Sequence, residues 1–352
     1  MPADKNLLRA HWTPPPSLTW VWALKFPRPP CPHPHTLGLV RAWLVHHGIR
    51  PSSISTTHGG SWLTVTDVLV SQANQLLSAS YQLYQNSKTN DTITRTVSYA
   101  LPKVLHAHIE TVEPTTYFPS TRMRQTQLRR FIGDGSAQAG SGKVLKPRLV
   151  PGLTPDFLRW YYHADLYSPA VPDKNTIGIL GMNGDYPNQW DLTHFMAVYR
   201  SDAIEASFTV EQWNGGRYSL YNSSDYANLG VQYAAAIAYP TPLIFYSVGG
   251  GSAWNGRGKA IPGNMHLEWL GRLLAEASPP DVISIGYGEI ERELPLAYAK
   301  SICRLFAMLG VRGVTVLVAS GQDGVGAGDC ITPRGNIEFM PEFPSTCTCD
   351  IS

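Results

Sequence analysis

The chain has 352 residues, 43% of them hydrophobic and 15% charged, a composition that describes a globular protein with room for two domains. Its formal net charge is only +2 and its basic residues form no single long run, which gives no footing to nucleic acid or to an anionic membrane surface. No window of about 18 uninterrupted apolar residues exists, and the longest apolar stretches, near 234–238 and 314–319, have the length of core strands or buried helices, so no membrane span is predicted.

Residues 1–36 are Pro-rich and atypical. The opening residues are largely polar, and the prolines from Pro14–Pro16 to Pro34 break any helix and leave no continuous apolar stretch of the kind a signal peptide needs. Two glycosylation sequons occur further on, Asn90-Asp91-Thr92 and Asn222-Ser223-Ser224. The five cysteines include Cys330, Cys347 and Cys349 crowded near the end, where a Cys330–Cys347 bridge is expected with Cys31 outside any framework.

From residue 37 the pattern changes. Leu39, Val40, Trp43 and Leu44 fall at helical spacing, and Gly48 stands where a left-handed cap belongs. A strand is expected over 61–68, a helix over 70–84 from the spacing of Val70, Ala73, Leu76, Leu77, Tyr81 and Tyr84, and strands over 94–99 and 105–112. Together, residues 37–118 suit a small α+β domain. Residues 119–148 lose all periodicity and collect Arg122, Arg124, Arg129, Arg130, Lys143, Lys146 and Arg148 among Gly, Ser and Ala, as an exposed basic linker does.

Residues 149–352 then alternate. Helices are expected over 154–162, 190–199, 224–238, 265–277 and 294–309, and strands over 176–180, 206–210, 243–247, 282–285 and 313–319. Strands separated by helices of this length imply right-handed crossovers and a doubly wound parallel sheet. In such α/β sheets function gathers at the carboxyl ends of the strands, which directs attention to Gly286-Tyr287-Gly288 and to Ser320-Gly321-Gln322-Asp323-Gly324. No further strand follows Phe339–Pro344 to close the sheet, so the domain reads as incomplete at its C-terminal end.

Self-contained chemical motifs are absent: there is no Gly-x-Ser-x-Gly elbow, P-loop, His-Glu-x-x-His or paired Cys-x-x-Cys. His46-His47 and the pair His106 and His108 are the densest histidine clusters. The latter alternate on one expected strand without a third ligand, so packed or solvated histidines are expected rather than a metal site. Residues 324–328 follow a strand and are glycine-rich, but they open onto Cys and Pro instead of a helix and read as loop.

Many segments resemble one family in its own order. Residues 44–49, Trp62-Leu63-Thr64, 99–102 and Pro114-Thr115-Thr116-Tyr117-Phe118 look like the propeptide of fungal sedolisins, the serine-carboxyl peptidases that include tripeptidyl peptidases. Leu153-Thr154-Pro155, Gln232-Tyr233, Tyr239-Pro240-Thr241-Pro242, Phe245-Tyr246-Ser247, 284–288, Tyr298-Ala299-Lys300-Ser301 and 339–344 resemble the start and middle of the catalytic domain. The resemblance implies a subtilisin-like doubly wound α/β sheet, C-terminally incomplete, preceded by a partial ferredoxin-like α+β propeptide whose first unit is replaced by the Pro-rich start. It further implies a peptide or protein substrate, an extracellular location and no cofactor, with the family's calcium loop beyond the C-terminus.

The family pairs a Glu general base with an orienting Asp one helical turn later, before Gln-Tyr. The matching positions here are Tyr226 and Gly230, a phenol that ionises near ~10 and a residue with no side chain. Asp225 lies about 100° round the helix from Tyr226 and is not expected to substitute. The family's oxyanion Asp corresponds to Gln322, whose amide can still donate a hydrogen bond. The serine nucleophile lies beyond Ser352. Three readings follow: a catalytically inactive sedolisin relative, an active acid tripeptidyl or endopeptidase behind a faulty gene model, and a propeptide-like inhibitor or binding module for a related peptidase.

Overall fold

The computed structural model describes residues 7–9, 18–24, 34–56, 62–86, 92–118, 124–125, 153–182, 184–249, 265–321, 324–326 and 335–347. The Pro-rich start is not outside the fold, because its two described segments are strands: β1 (Leu7–Arg9) and β2 (Leu18–Leu24). Residues 18–24 read Leu-Thr-Trp-Val-Trp-Ala-Leu, rich in the β-branched and aromatic side chains that favour strands between the prolines.

Helix α1 spans Pro34–His46, with proline at its first position where the missing N–H costs nothing. Val40 and Leu44, one turn apart, are fully buried. The end is a Schellman cap: Gly48 takes φ +85°, its N–H reaches the Val45 carbonyl at 3.0 Å, and the Ile49 N–H reaches that of Leu44 at 3.1 Å. Strands β3 (Ile54–Thr56) and β4 (Trp62–Val68) follow, then α2 (Val70–Leu76).

The helix expected to run on to residue 84 ends at Leu76. Ser78 turns the chain at φ +46°, and Tyr84 lies on strand β5 (Gln82–Asn86) instead. Tyr81 and Tyr84 are both buried, so their spacing marks a core in either secondary structure, and period alone could not tell which. Strand β6 (Thr92–Arg95) is shorter than the expected 94–99. A 3-10 turn over Lys103–Ala107 takes the first half of the strand expected over 105–112, leaving β7 (Ile109–Glu113).

Antiparallel pairing orders one sheet β3-β4-β2-β7, with β2 between β4 and β7, and a second β1-β5-β6. Val40 and Leu44 of α1 and Ala73 and Leu76 of α2 pack with Leu63, Val65, Ile109 and Val112 of the larger sheet. From the basic linker the described piece is β8 (Arg124–Gln125).

The second half follows the expected alternation closely: α3 (Pro155–Tyr161), β9 (Ile177–Gly181), α4 (Gln189–Tyr199), β10 (Phe208–Trp213), α5 (Asp225–Ala238), β11 (Leu243–Val248), α6 (Met265–Leu273) and β12 (Val282–Ile285). Then come β13 (Tyr287–Ile290), α7 (Leu296–Val311), β14 (Thr315–Val318) and β15 (Glu342–Phe343). The five main strands are parallel in the order β10-β11-β9-β12-β14.

Alternation along the central strands sends neighbours to opposite faces. Ile179 and Phe245 pack with Leu192 and Met196 of α4 and Val231 and Ala235 of α5. Leu180 and Tyr246 pack with Leu270 and Leu273 of α6 and Ile302 and Leu305 of α7. Among the described residues the result is a doubly wound sheet with α4 and α5 packed on one face and α6 and α7 on the other.

The disulfide differs from expectation. Cys347 is bonded to Cys303 of α7, with Cα atoms 5.2 Å apart, and not to Cys330, which lies outside the described residues. Cys347 is buried in the core that α7 helps to form, so tertiary packing brings together two cysteines 44 residues apart. No helix among the described residues is long and apolar enough to cross a membrane.

Candidate functional site

Helix α5 delivers the first candidate residue. Ser224 caps it, its hydroxyl accepting from the Ala227 N–H at 3.2 Å, which fixes the first turn at the carboxyl edge of the sheet. Tyr226, in that turn, crosses to the loop after β12: its hydroxyl donates to the Gly286 carbonyl, and its ring stands edge-on to Tyr287 with centroids 4.8 Å apart. Gly286 is required by this arrangement. A Cβ there would lie 1.6 Å from the Tyr226 oxygen.

Gly230, one turn along α5, faces the central strand: a Cβ on it would meet Ile179 Cγ2 at 3.2 Å. Positions 226 and 230 therefore share one face, as a paired-carboxylate site needs, but this face carries a phenol and a bare backbone. Asp225 is exposed to solvent and turned away from that face. Gln322 lies outside the described residues; the preceding Gly321, at φ +84°, ends the β14 side of the site.

Tyr287, in one of the expected loops, and two groups that sequence reading passed over, Asp185 and Glu342, complete the site. Tyr287 is fully buried and donates to Asp185 Oδ2 at 2.8 Å from the loop after β9; burial, and then the Asp185 carboxylate, push its phenol far above the ordinary tyrosine range. Glu342, also buried, lies between the two expected loops. Its carboxylate would stand 2.5 Å from a Cβ on Gly321 and 2.8 Å from one on Gly288. The available signal was a charged residue set inside the otherwise apolar run 339–344.

A strand also lies beside these residues. β8, from the basic linker, pairs antiparallel with β13, Gln125 opposite Tyr287 and Arg124 opposite Gly288. An extended chain is thus already seated along the strand that begins one residue after Gly286.

The four histidines of the expected clusters have their own partners in the α+β unit. The His106 ring bonds the Leu101 carbonyl at 2.9 Å and that of His108 the Thr36 hydroxyl at 3.0 Å, while those of His46 and His47 meet edge-on. No group of three His, Cys, Asp or Glu side chains suited to a metal occurs among the described residues. A polar surface pocket of about 490 Å³ lies between α3 and the end of α4, lined by Asp156, Arg159, Asp165, Arg200 and Asp202. Its arginines are already committed, Arg159 to the Asp165 and Tyr167 carbonyls and Arg200 to Asp202. It also sits at the far end of α5, about 15 Å along the helix axis from Tyr226. We therefore assign it a structural role.

The N-terminal α+β unit reaches this half through β7 and the segment after it. Tyr117 donates to Glu289 of β13 and stacks on Tyr298 of α7 at 5.7 Å, while Glu110 receives Arg304 and, at 3.2 Å, the Ser301 hydroxyl. Burial pushes the Glu289 carboxyl up to about 7, against the lowering effect of the Tyr117 hydroxyl.

Fold and site together define a doubly wound α/β domain, with its candidate site at the carboxyl ends of the strands, preceded by an α+β unit. Residues 30–118 match the pro-kumamolisin activation domain. The chain is 27% identical over 324 residues to tripeptidyl-peptidase SED2 of Arthroderma otae, covering 87% of this chain and 52% of that protein. It is 28% identical over 338 residues to probable tripeptidyl-peptidase SED3 of Trichophyton verrucosum, covering 90% and 54%. Among solved structures, Pseudomonas sedolisin, a serine-carboxyl proteinase complexed with pseudo-iodotyrostatin, is similar at 20% identity and a TM-score of 0.41, over 56% of this chain and 52% of that one. Over most of its length the chain is thus similar to tripeptidyl-peptidases that carry such an activation domain, and it spans about half the length of the curated relatives it matches.

Proposed function

We propose that this chain is an extracellular sedolisin-like protein that holds an extended peptide along β13 and does not cleave it by the family's route. The observation that carries the reading is Tyr226: its hydroxyl is spent on the Gly286 carbonyl at the carboxyl edge of the sheet, where a general base would have to stand. A phenol so placed is a donor, and Gly230 offers nothing to orient a base. The pairing of β8 with β13 supports the peptide half of the proposal, because strand addition supplies main-chain hydrogen bonds to any extended segment. Tyr117 and Glu110 favour a second reading, in which the α+β unit docks on a related peptidase by the same contacts it makes here.

The test is release of peptides from a denatured protein at acid pH. Because base and nucleophile act as a unit, the chain joined to a family-like C-terminal extension that carries the Ser-Gly-Thr-Ser segment should stay silent while Tyr226 and Gly230 are untouched. The same extended chain with Tyr226→Glu and Gly230→Asp should cleave, with Gln322→Asp adding roughly 10²-fold or more. Cleavage at ordinary peptidase rates by the extended chain with Tyr226 and Gly230 intact would overturn the proposal.

A further inference from the structure

The loop that leads into α5 and the first turn of α4 carry an unexplained surface. Trp190, Leu220 and Tyr221 are 81%, 67% and 92% exposed, three large apolar side chains in water. Their backbones are brought to one place by a single side chain: Asn188 Oδ1 accepts from the Trp190 N–H at 2.7 Å while Asn188 Nδ2 donates to the Leu220 carbonyl at 2.6 Å. Single exposed apolar residues need no explanation, but three held together by a buried polar side chain form a patch that asks for a cover.

The residue after Tyr221 is Asn222, the first member of Asn222-Ser223-Ser224, and its side chain is exposed. Both serine hydroxyls are committed. The Ser223 hydroxyl donates to Asp191 Oδ2 at 2.7 Å, Ser224 caps α5, and the Ser224 N–H bonds the Tyr186 carbonyl at 3.0 Å. Within the triplet, the Asn222 amide is thus left at the surface beside the patch. The Cys303–Cys347 disulfide supplies the compartment, since such bonds persist where the environment is oxidising, along the route on which Asn-x-Ser segments are glycosylated.

We propose that Asn222 is an N-glycosylation site and that the first sugar of its glycan covers the patch of Trp190, Leu220 and Tyr221. In the transfer, Asn222 Nδ2 forms a bond to C1 of the sugar while the bond from C1 to the pyrophosphate oxygen of a lipid-linked oligosaccharide breaks. The lipid pyrophosphate leaves, the amide proton passes to a base of the transferase, and nothing is oxidised or reduced. The apolar C–H face of the attached sugar then lies against the aromatic rings, four residues before Tyr226 at the rim of the candidate site.

The experiment isolates the full chain from the cells that make it and treats it with a peptide N-glycosidase in heavy-oxygen water, which converts a glycosylated asparagine to a labelled aspartate. The expected result is label at position 222 in the peptide map and its loss in Asn222→Gln. Recovery of that peptide with unmodified Asn222 before glycosidase treatment overturns the proposal, whether Cys303 and Cys347 are bonded or free. Coverage is read separately: removing the glycan should raise binding of an apolar dye about two-fold or more, and the rise should vanish in the Trp190→Ser, Tyr221→Ser double variant. Dye binding indifferent to deglycosylation would sink the covering role.

Discussion

The α+β unit and the parallel-sheet unit treat buried charge in opposite ways. In the α+β unit, Arg95 and Glu113 are buried side by side, and the Arg95 guanidinium donates to the Tyr117 carbonyl at 2.7 Å and to that of Thr94 at 2.8 Å. Burial lifts the Glu113 carboxyl to about 7 despite that arginine. In the parallel-sheet unit, His266 of α6 is buried with its Nε2 unpartnered, and burial alone depresses it to about 4. The first unit sets its buried carboxyl beside a buried cation, with the Thr115 N–H donating to Glu113 Oε2 at 3.3 Å while Oε1 has no partner; the second keeps a lone imidazole neutral by excluding water. Between them stands Tyr117, which belongs to the α+β unit by sequence and to the sheet unit's core by packing.

The comparison predicts how each half fails. The largest effect should come from Tyr117→Ala, which removes a buried ring, its stack on Tyr298 and the partner of Glu289. A loss of about 4–5 kcal/mol in urea unfolding is expected, and a loss under 1 kcal/mol would show that the two units do not share a core. Reducing the sheet unit's brace by Cys303→Ser with Cys347→Ser should cost about 4 kcal/mol for a loop of this length, with a matching fall in melting temperature that reductant reproduces in the parent chain.

The two kinds of buried group give pH dependences of opposite sign. His266 has a folded-state value below its unfolded one, so its contribution is present above about 6.5 and is lost as pH falls towards about 4. Glu113 and Glu289 have raised values, so theirs is full below about 4.5 and is lost as pH rises through about 7. His266→Leu should therefore remove about 3 kcal/mol of acid sensitivity between neutrality and pH 4. Parallel stability curves for parent and variant across that range would refute the assignment. The smallest effect belongs to Glu110 and Arg304, whose side chains are 10% and 38% exposed. A double-mutant cycle should return about 1 kcal/mol, because solvent screens the arginine.

Much of this molecule was legible from periodicity. The expected helices over 154–162, 190–199 and 224–238 lie within a residue of α3, α4 and α5 at either end, because caps such as Thr154 and Ser224 are local chemistry. The extent of α2 was not legible, since Tyr81 and Tyr84 satisfy a helical period while serving a strand. Nor was β2, whose prolines at either side hid a strand that occupies the interior of a sheet.

At the site, spacing placed Tyr226 and Gly230 on one helical face, and strand order directed attention to the loops after β12 and β14. Those are consequences of fixed geometry, 3.6 residues per turn and function at the carboxyl ends of parallel strands, and sequence carries them in full. What only tertiary structure decided were the partners: Tyr226 with the Gly286 carbonyl, Tyr287 with Asp185, Glu342 between Gly288 and Gly321, and Cys347 with Cys303. Each joins residues from separate elements, and such contacts depend on how layers stack and where space is left, which no local pattern along the chain encodes.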